Sequence, residues 1–356
     1  MDNVEEVVYQ KTEKRLKNTR FHLMDSSIGC VLFIGFQFVF DLFYNVLPTS
    51  FKGHLLVSII LSFLVEALFA FAVLTTAKIR NVEFIKAAKL NKKPDWKSVL
   101  LAVALSAICL FAFTGLTNTF VAFLEKISYK QMVGNITIPN FGVYIIYVFL
   151  MAVCPALFEE LLFRGLILGG LRDIGKHKAV MLSALIFMLM HGGPDQTVHQ
   201  FILGIVLGYA FVYSGSLWIT IIMHFLNNFV ALTALYISSA TGIVEATETV
   251  SYSWLQIGIS FVTSLFMAAI GGALVWLCIK GLKKIKDKKE QDKLALLDKE
   301  SLTDKDLDSL KTVDGDKIEE KQEKKENKTV IVVLFSIAGT YLLFNWLLTL
   351  VAGLML

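Results

Sequence analysis

Three short runs carry side chains able to do chemistry. Phe158-Glu159-Glu160-Leu161-Leu162-Phe163-Arg164 sets two adjacent carboxylates before an arginine. Phe187-Met188-Leu189-Met190-His191 ends on an imidazole, and His224-Phe225-Leu226-Asn227-Asn228 joins an imidazole to amides. All three lie in apolar surroundings, where an ionisable group is costly unless satisfied and is a functional candidate by default. Arg164 is four residues after Glu160 and shares its helical face. Glu159 is rotated roughly 140° away from Arg164. Glu160 can therefore neutralise Arg164 while Glu159 turns to a different partner, and burial beside a second carboxylate suits Glu159 to general-base work. His224 and Asn228 are i, i+4 and share a face, a relation Asn227 lacks.

A carboxylate, two imidazoles and an amide in a buried wet pocket support hydrolysis of an amide bond. One carboxylate assisted by a histidine activates water, while the other histidine and the asparagine hold the oxyanion. No serine or cysteine nucleophile is needed. The sequence has no His-Glu-x-x-His zinc helix, and Ser214-Gly215-Ser216 reads as a linker in a turn. The four cysteines form no C-x-x-C pair and read as small buried hydrophobes.

The elements that must position these groups are membrane spans. Of 356 residues 55% are hydrophobic and 18% charged, with a mean hydropathy of +0.63, well outside the usual soluble composition. Disulfide-rich secreted, collagen-like and disordered classes are excluded, and a net charge of +4 gives no reason to expect a nucleic-acid partner. Runs near 28–48, 54–77, 99–124, 142–168, 217–238, 254–280 and 329–354 meet the rule of roughly 20 apolar residues per crossing. Two shorter runs, 179–191 and 199–213, flank His191-Gly192-Gly193-Pro194-Asp195 and bring the expected total to nine. At 1.5 Å per residue, Glu159, His191, His224 and Asn228 lie about 14, 18, 11 and 17 Å from the same side, one layer near the midplane.

Lys and Arg cluster in alternate loops: Lys11 to Arg20, Lys78 to Lys97, Arg172 to Lys178, and after the eighth span. The positive-inside rule then puts the N-terminus in the cytoplasm. The expected organisation is an all-α polytopic helix bundle. Residues 1–27 form a cytoplasmic segment and 28–140 the N-terminal spans. A catalytic core occupies 141–240 and the eighth span 241–280, followed by a charged cytoplasmic linker at 281–328 and a last span at 329–356. The first span reads as a retained anchor. Asp41 and Glu66 are lone acids that could pair with other helices or line an entrance. His199 and Asp195 are expected to be solvated at the outer turn.

Glu159-Glu160-x-x-x-Arg164, Phe187-x-x-x-His191 and His224-x-x-x-Asn228, in that order on successive helices, resemble the CAAX prenyl protease and bacteriocin-processing (CPBP, Abi) family of intramembrane endopeptidases. The resemblance covers roughly residues 142–238. It implies that Glu159 and His191 activate water, that His224 and Asn228 form the oxyanion site, and that Glu160 and Arg164 support the fold. No catalytic position departs from the family pattern. Members have been described as glutamate-based, metal-free enzymes and as metalloproteases. The expectation is no cofactor, with Glu159, His191 and His224 as the ligand set if a divalent metal such as zinc is bound.

The implied substrate is a membrane-associated peptide or protein, the implied location a bacterial plasma membrane with lipid as the surrounding partner. Processing of a pheromone, bacteriocin leader or immunity peptide is expected over a prenylated tail. Two other readings stay open. One is a membrane scaffold regulating a sensor kinase or cell-wall enzyme, or a bacteriocin immunity protein, motivated by the appended segment 281–328 and its final span. The other is a secondary transporter, which fits broken helices but lacks duplicated halves.

Overall fold

Long apolar stretches can satisfy their backbone groups in a bilayer only by closing them into helices, and this chain does so throughout. A computed structural model describes residues 18–130, 138–241, 252–297 and 326–356. Among the described residues all regular structure is helical, apart from one parallel bridge between Asn18 and Val82. The helices are α1 (Leu23–Val46), α2 (Leu55–Arg80), α3 (Trp96–Ala112), α4 (Thr114–Lys126), α5 (Phe141–Ile174), α6 (Lys176–Met190), α7 (Thr197–Ser214), α8 (Leu217–Thr241), α9 (Trp254–Leu297) and α10 (Lys328–Met355).

Several starts are set by side chains that accept from the free amides of the first turn. Asp95 accepts from Ser98 N at 2.9 Å, Asn140 from Val143 N at 3.0 Å and Asn327 from Thr329 N at 3.1 Å. Helices α3 and α4 follow one another through Phe113 and together make one span, Trp96–Lys126.

Eight spans among the described residues are long and apolar enough to cross a membrane, where the sequence pattern predicts nine. The missing ninth is α6. Its 15 residues rise only about 22 Å, against a hydrocarbon core of about 30 Å. The helix is nonetheless formed and shielded by protein. It packs along α7 as a hairpin, with Gly204 against Ala184 and Gly208 against Val180. A Cβ at Gly204 would stand 3.0 Å from the Ala184 Cα, so the missing side chain is what lets the two backbones meet.

Helix α5 is central and touches α1, α2, α6, α7 and α8. It is not a uniform α-helix. Wider π turns at Phe149–Val153 and Leu161–Leu168 bracket an α-helical piece, Cys154–Glu160. The larger of two main cores joins α1, α2, α5 and α6 around Phe33, Phe69, Phe163, Leu166 and Phe187. The second joins α3, α7, α8 and α9 around Leu105, Leu207 and Met223. Outward faces carry exposed large hydrophobics such as Phe111, Val262 and Phe266, as lipid-facing spans must. Of the charged segment 281–328, residues 281–297 continue helix α9, while 298–325 lie outside the described residues.

Candidate active site

The π turn that begins at Leu161 follows directly on the two carboxylates, at the kind of local widening that often marks a functional position. Glu160 is fully buried and Arg164 is 1% exposed. Arg164 donates from Nη1 to Glu160 Oε1 at 2.6 Å, the i, i+4 pairing that the spacing predicts. The guanidinium also lies over the Phe187 ring, 4.3 Å from its centroid, so α6 supplies the cation with an aromatic face.

Glu160 has a second donor that the spacing does not reveal. His224 Nδ1 on α8 lies 2.9 Å from the same Oε1. With a proton on Nδ1, this bond fixes the ring and aims Nε2 away from the carboxylate, as an orienting carboxylate does for a working histidine. One carboxylate thus ties α5 to α8 and pairs with the arginine on its own helix.

Glu159 turns the other way, toward α6. Its Oε2 is 3.9 Å from His191 Nε2, too long for a direct hydrogen bond and the right scale for a bridged one. His191 Nδ1 lies 2.8 Å from the Phe187 carbonyl, which accepts the Nδ1 proton and leaves Nε2 as an acceptor facing Glu159. The His191 side chain is 19% exposed and that of Glu159 9%, so the gap is reached from the histidine side. Phe187 organises the whole set. Its buried ring meets His191 edge-on at 4.7 Å, His224 at 6.0 Å and Phe163 at 4.8 Å.

Buried polar atoms almost always find partners, so exceptions are informative. Among the described residues, Glu66, Glu159, Glu160, Arg164 and Asn227 each leave one buried polar atom without a hydrogen-bond partner. Orphaned acceptors and donors of this kind suit a site that takes water and a polar substrate.

The structure thus brings Glu159 to His191, and Glu160 to Arg164 and His224. Asn228 is placed differently: its amide donates to the Met151 carbonyl at 3.1 Å, within the first π turn of α5. Asn227 is the more buried of the two, at 3% exposure, with Nδ2 3.2 Å from His199 Nε2. His199 is therefore not the solvated outer-turn residue that the sequence suggests. The short turn Pro194–Gln196 starts α7 early and leaves His199 in its first turn, facing α8. Asp41 is satisfied by Gln37 on its own helix, at 2.8 Å.

No three His, Cys, Asp or Glu among the described residues are grouped to hold a metal ion. Glu159, His191 and His224, the donor set expected from the sequence, do not form such a group; His224 Nδ1 is held by Glu160, which leaves its Nε2 open.

No curated protein and no solved structure matches the chain. Residues 141–230, roughly a quarter of the chain, match a family model and contain Glu159, Glu160, Arg164, His191, His224 and Asn228. The matched model is that of the Rce1-like type II CAAX prenyl endopeptidases, and the segment similar to it lies within a multi-pass, all-helical membrane protein.

Proposed function

We propose that the chain is an intramembrane endopeptidase that hydrolyses a peptide bond in a membrane-associated peptide or protein by a glutamate-type mechanism. The observation that carries this reading is the Glu159–His191 gap. An unpartnered carboxylate oxygen and an imidazole acceptor face one another at 3.9 Å, at a separation that one water bridges. A water held there gives its proton to Glu159 as its oxygen attacks the scissile carbonyl carbon. The carbonyl oxygen takes the negative charge. His224, its ring oriented by Glu160, and the Asn228 amide, once released from the Met151 carbonyl, donate to it. Collapse breaks the C–N bond, and the proton on Glu159 passes to the departing amine. Glu160 and Arg164 hold the ring and the helix and touch no reacting atom.

The charge pattern of the loops supports an N-terminus on the cytoplasmic side, and the short connections support a bacterial plasma membrane protein. Peptide processing, of the leader, pheromone or immunity kind, is the substrate class this reading favours. The test is comparative peptidomics of membranes containing the wild-type chain or Glu159→Gln, followed by cleavage of a peptide so found with purified protein. Glu159→Gln and His191→Ala are expected to lower cleavage by about 10²-fold or more while keeping the fold. Wild-type rates in either variant would overturn the proposal.

A further inference from the structure

Glu66 lies outside the segment that matches the family, in the middle of α2. Helix α2 packs directly on the Cys154–Glu160 piece of α5. Phe63, one turn before Glu66, meets the Phe158 ring edge-on at 6.2 Å, which puts Glu66 level with Glu159. Phe69, one turn after Glu66, meets the Phe163 ring at 6.0 Å, so two ring contacts on the same face bracket Glu66 against the Glu159 stretch of α5. Glu66 Oε2 and Glu159 Oε2 are both buried and both lack a hydrogen-bond donor, and Glu159 as a whole is 7% exposed.

Two buried carboxyl groups at one level of packed apolar helices are far less costly when one of them keeps its proton and donates it. The surroundings decide where it rests. Glu159 is followed on its own helix by the Glu160–Arg164 pair and faces the His191 imidazole, whereas Asp41 on the neighbouring α1 is engaged by Gln37, which leaves Glu66 as the group to carry the proton.

We infer that Glu66 is a positioning residue of the Glu159 centre. In its neutral form it supplies, directly or across one water, the hydrogen bond that Glu159 lacks, and so holds the base toward His191. The inference rests on the endopeptidase reading for its kinetic consequence but not for its chemistry. Glutamine keeps a donor at this position and leucine removes it. On a peptide that the wild-type chain cleaves, Glu66→Leu is expected to lower kcat about 10–100-fold with KM within about twofold, and Glu66→Gln to stay within about threefold of wild type. Equal loss in both variants, or no loss in Glu66→Leu, overturns the proposal.

A second measurement needs no substrate and remains informative if Glu66→Leu fails to fold. The infrared spectrum of the full chain in lipid at neutral pH is expected to show a protonated carboxyl C=O band that disappears in Glu66→Gln and shifts in Glu159→Gln. A band unchanged in Glu66→Gln overturns the pairing. If instead Glu159→Gln cleaves at the wild-type rate while the band behaves as expected, the reading of Glu159 as the base fails and the carboxyl pair stands.

Discussion

Arg164 is almost wholly enclosed, and its charge is met by Glu160 on one side and the Phe187 ring on the other. Removing one member of a buried pair strands the other, which costs more than the pair is worth. Arg164→Met is therefore expected to destabilise the protein by about 3–5 kcal/mol, read as loss of thermal stability in detergent or nanodiscs. The double variant Arg164→Met/Glu160→Leu should recover part of that loss, because no lone charge is left buried. The Glu160–Arg164 relation is legible in the sequence because four-residue spacing fixes a shared face within one helix. The bond from His224 to Glu160 and the approach of His199 to Asn227 both depend on how one helix is rotated against another. Spacing within a single segment carries no such information, and a lone acid in a span reads the same whether it faces lipid or a second carboxylate. For the same reason the i, i+4 rule picks out Asn228 beside His224, while the packing buries Asn227 more deeply.

At the scale of elements, the α6–α7 hairpin decides where His191 sits. A side chain at Gly204 would meet the Ala184 Cα and Cβ at 3.0 Å and the Phe187 Cδ1 at 3.3 Å. Gly204→Val is thus expected to part the hairpin and displace Phe187, on which Arg164, His191 and His224 all rest. A shift of about 1 Å at the reacting groups costs on the order of 10²-fold in rate, so cleavage should fall by about that factor while the helical circular-dichroism signal persists. The apolar length of most spans makes them readable in advance. The short α6 is an exception, since packing along α7 rather than apolar length carries its helix. The junction of α1 with α5 supplies a pH test. His22 faces Asp173 at 3.4 Å, and this hydrogen bond, working against burial and Arg20, raises the imidazole above its usual range. The stabilisation is then full below about pH 6.5 and fades as pH rises through the higher folded value. Thermal stability should decline over that interval in the wild type and lose this component in Asp173→Asn.

For the whole molecule, the tightly packed helices are those that carry the site, and the periphery is largely lipid-facing. The apolar window of α8 is 44% buried, against 17% for α9 and α10. Yet α10 reaches the site's outer turn. Trp346 donates to Thr197 at 2.9 Å, and the Gly353 carbonyl accepts from Lys130 N at 2.8 Å. The alternation of basic loops makes its own prediction about orientation. Cysteines placed at Lys52 and at Lys284 should label from opposite sides of the membrane, with Lys284 on the cytoplasmic side; labelling from one side would refute that topology. The two π turns of α5 bear on how such a protein tolerates change. Each accommodates extra backbone in a turn, so the phase of every residue beyond it depends on chain length. Loss of one residue within Leu161–Leu168 can be taken up as the wide turn tightens, whereas loss of one from the α-helical Cys154–Glu160 would rotate the following stretch, with Leu168 and Leu171 fully enclosed, by roughly 100° against its neighbours. Most exchanges of one apolar side chain for another along this helix are small perturbations beside that. Outside its wide turns, the central span is therefore a part whose residues can drift in identity far more readily than in number.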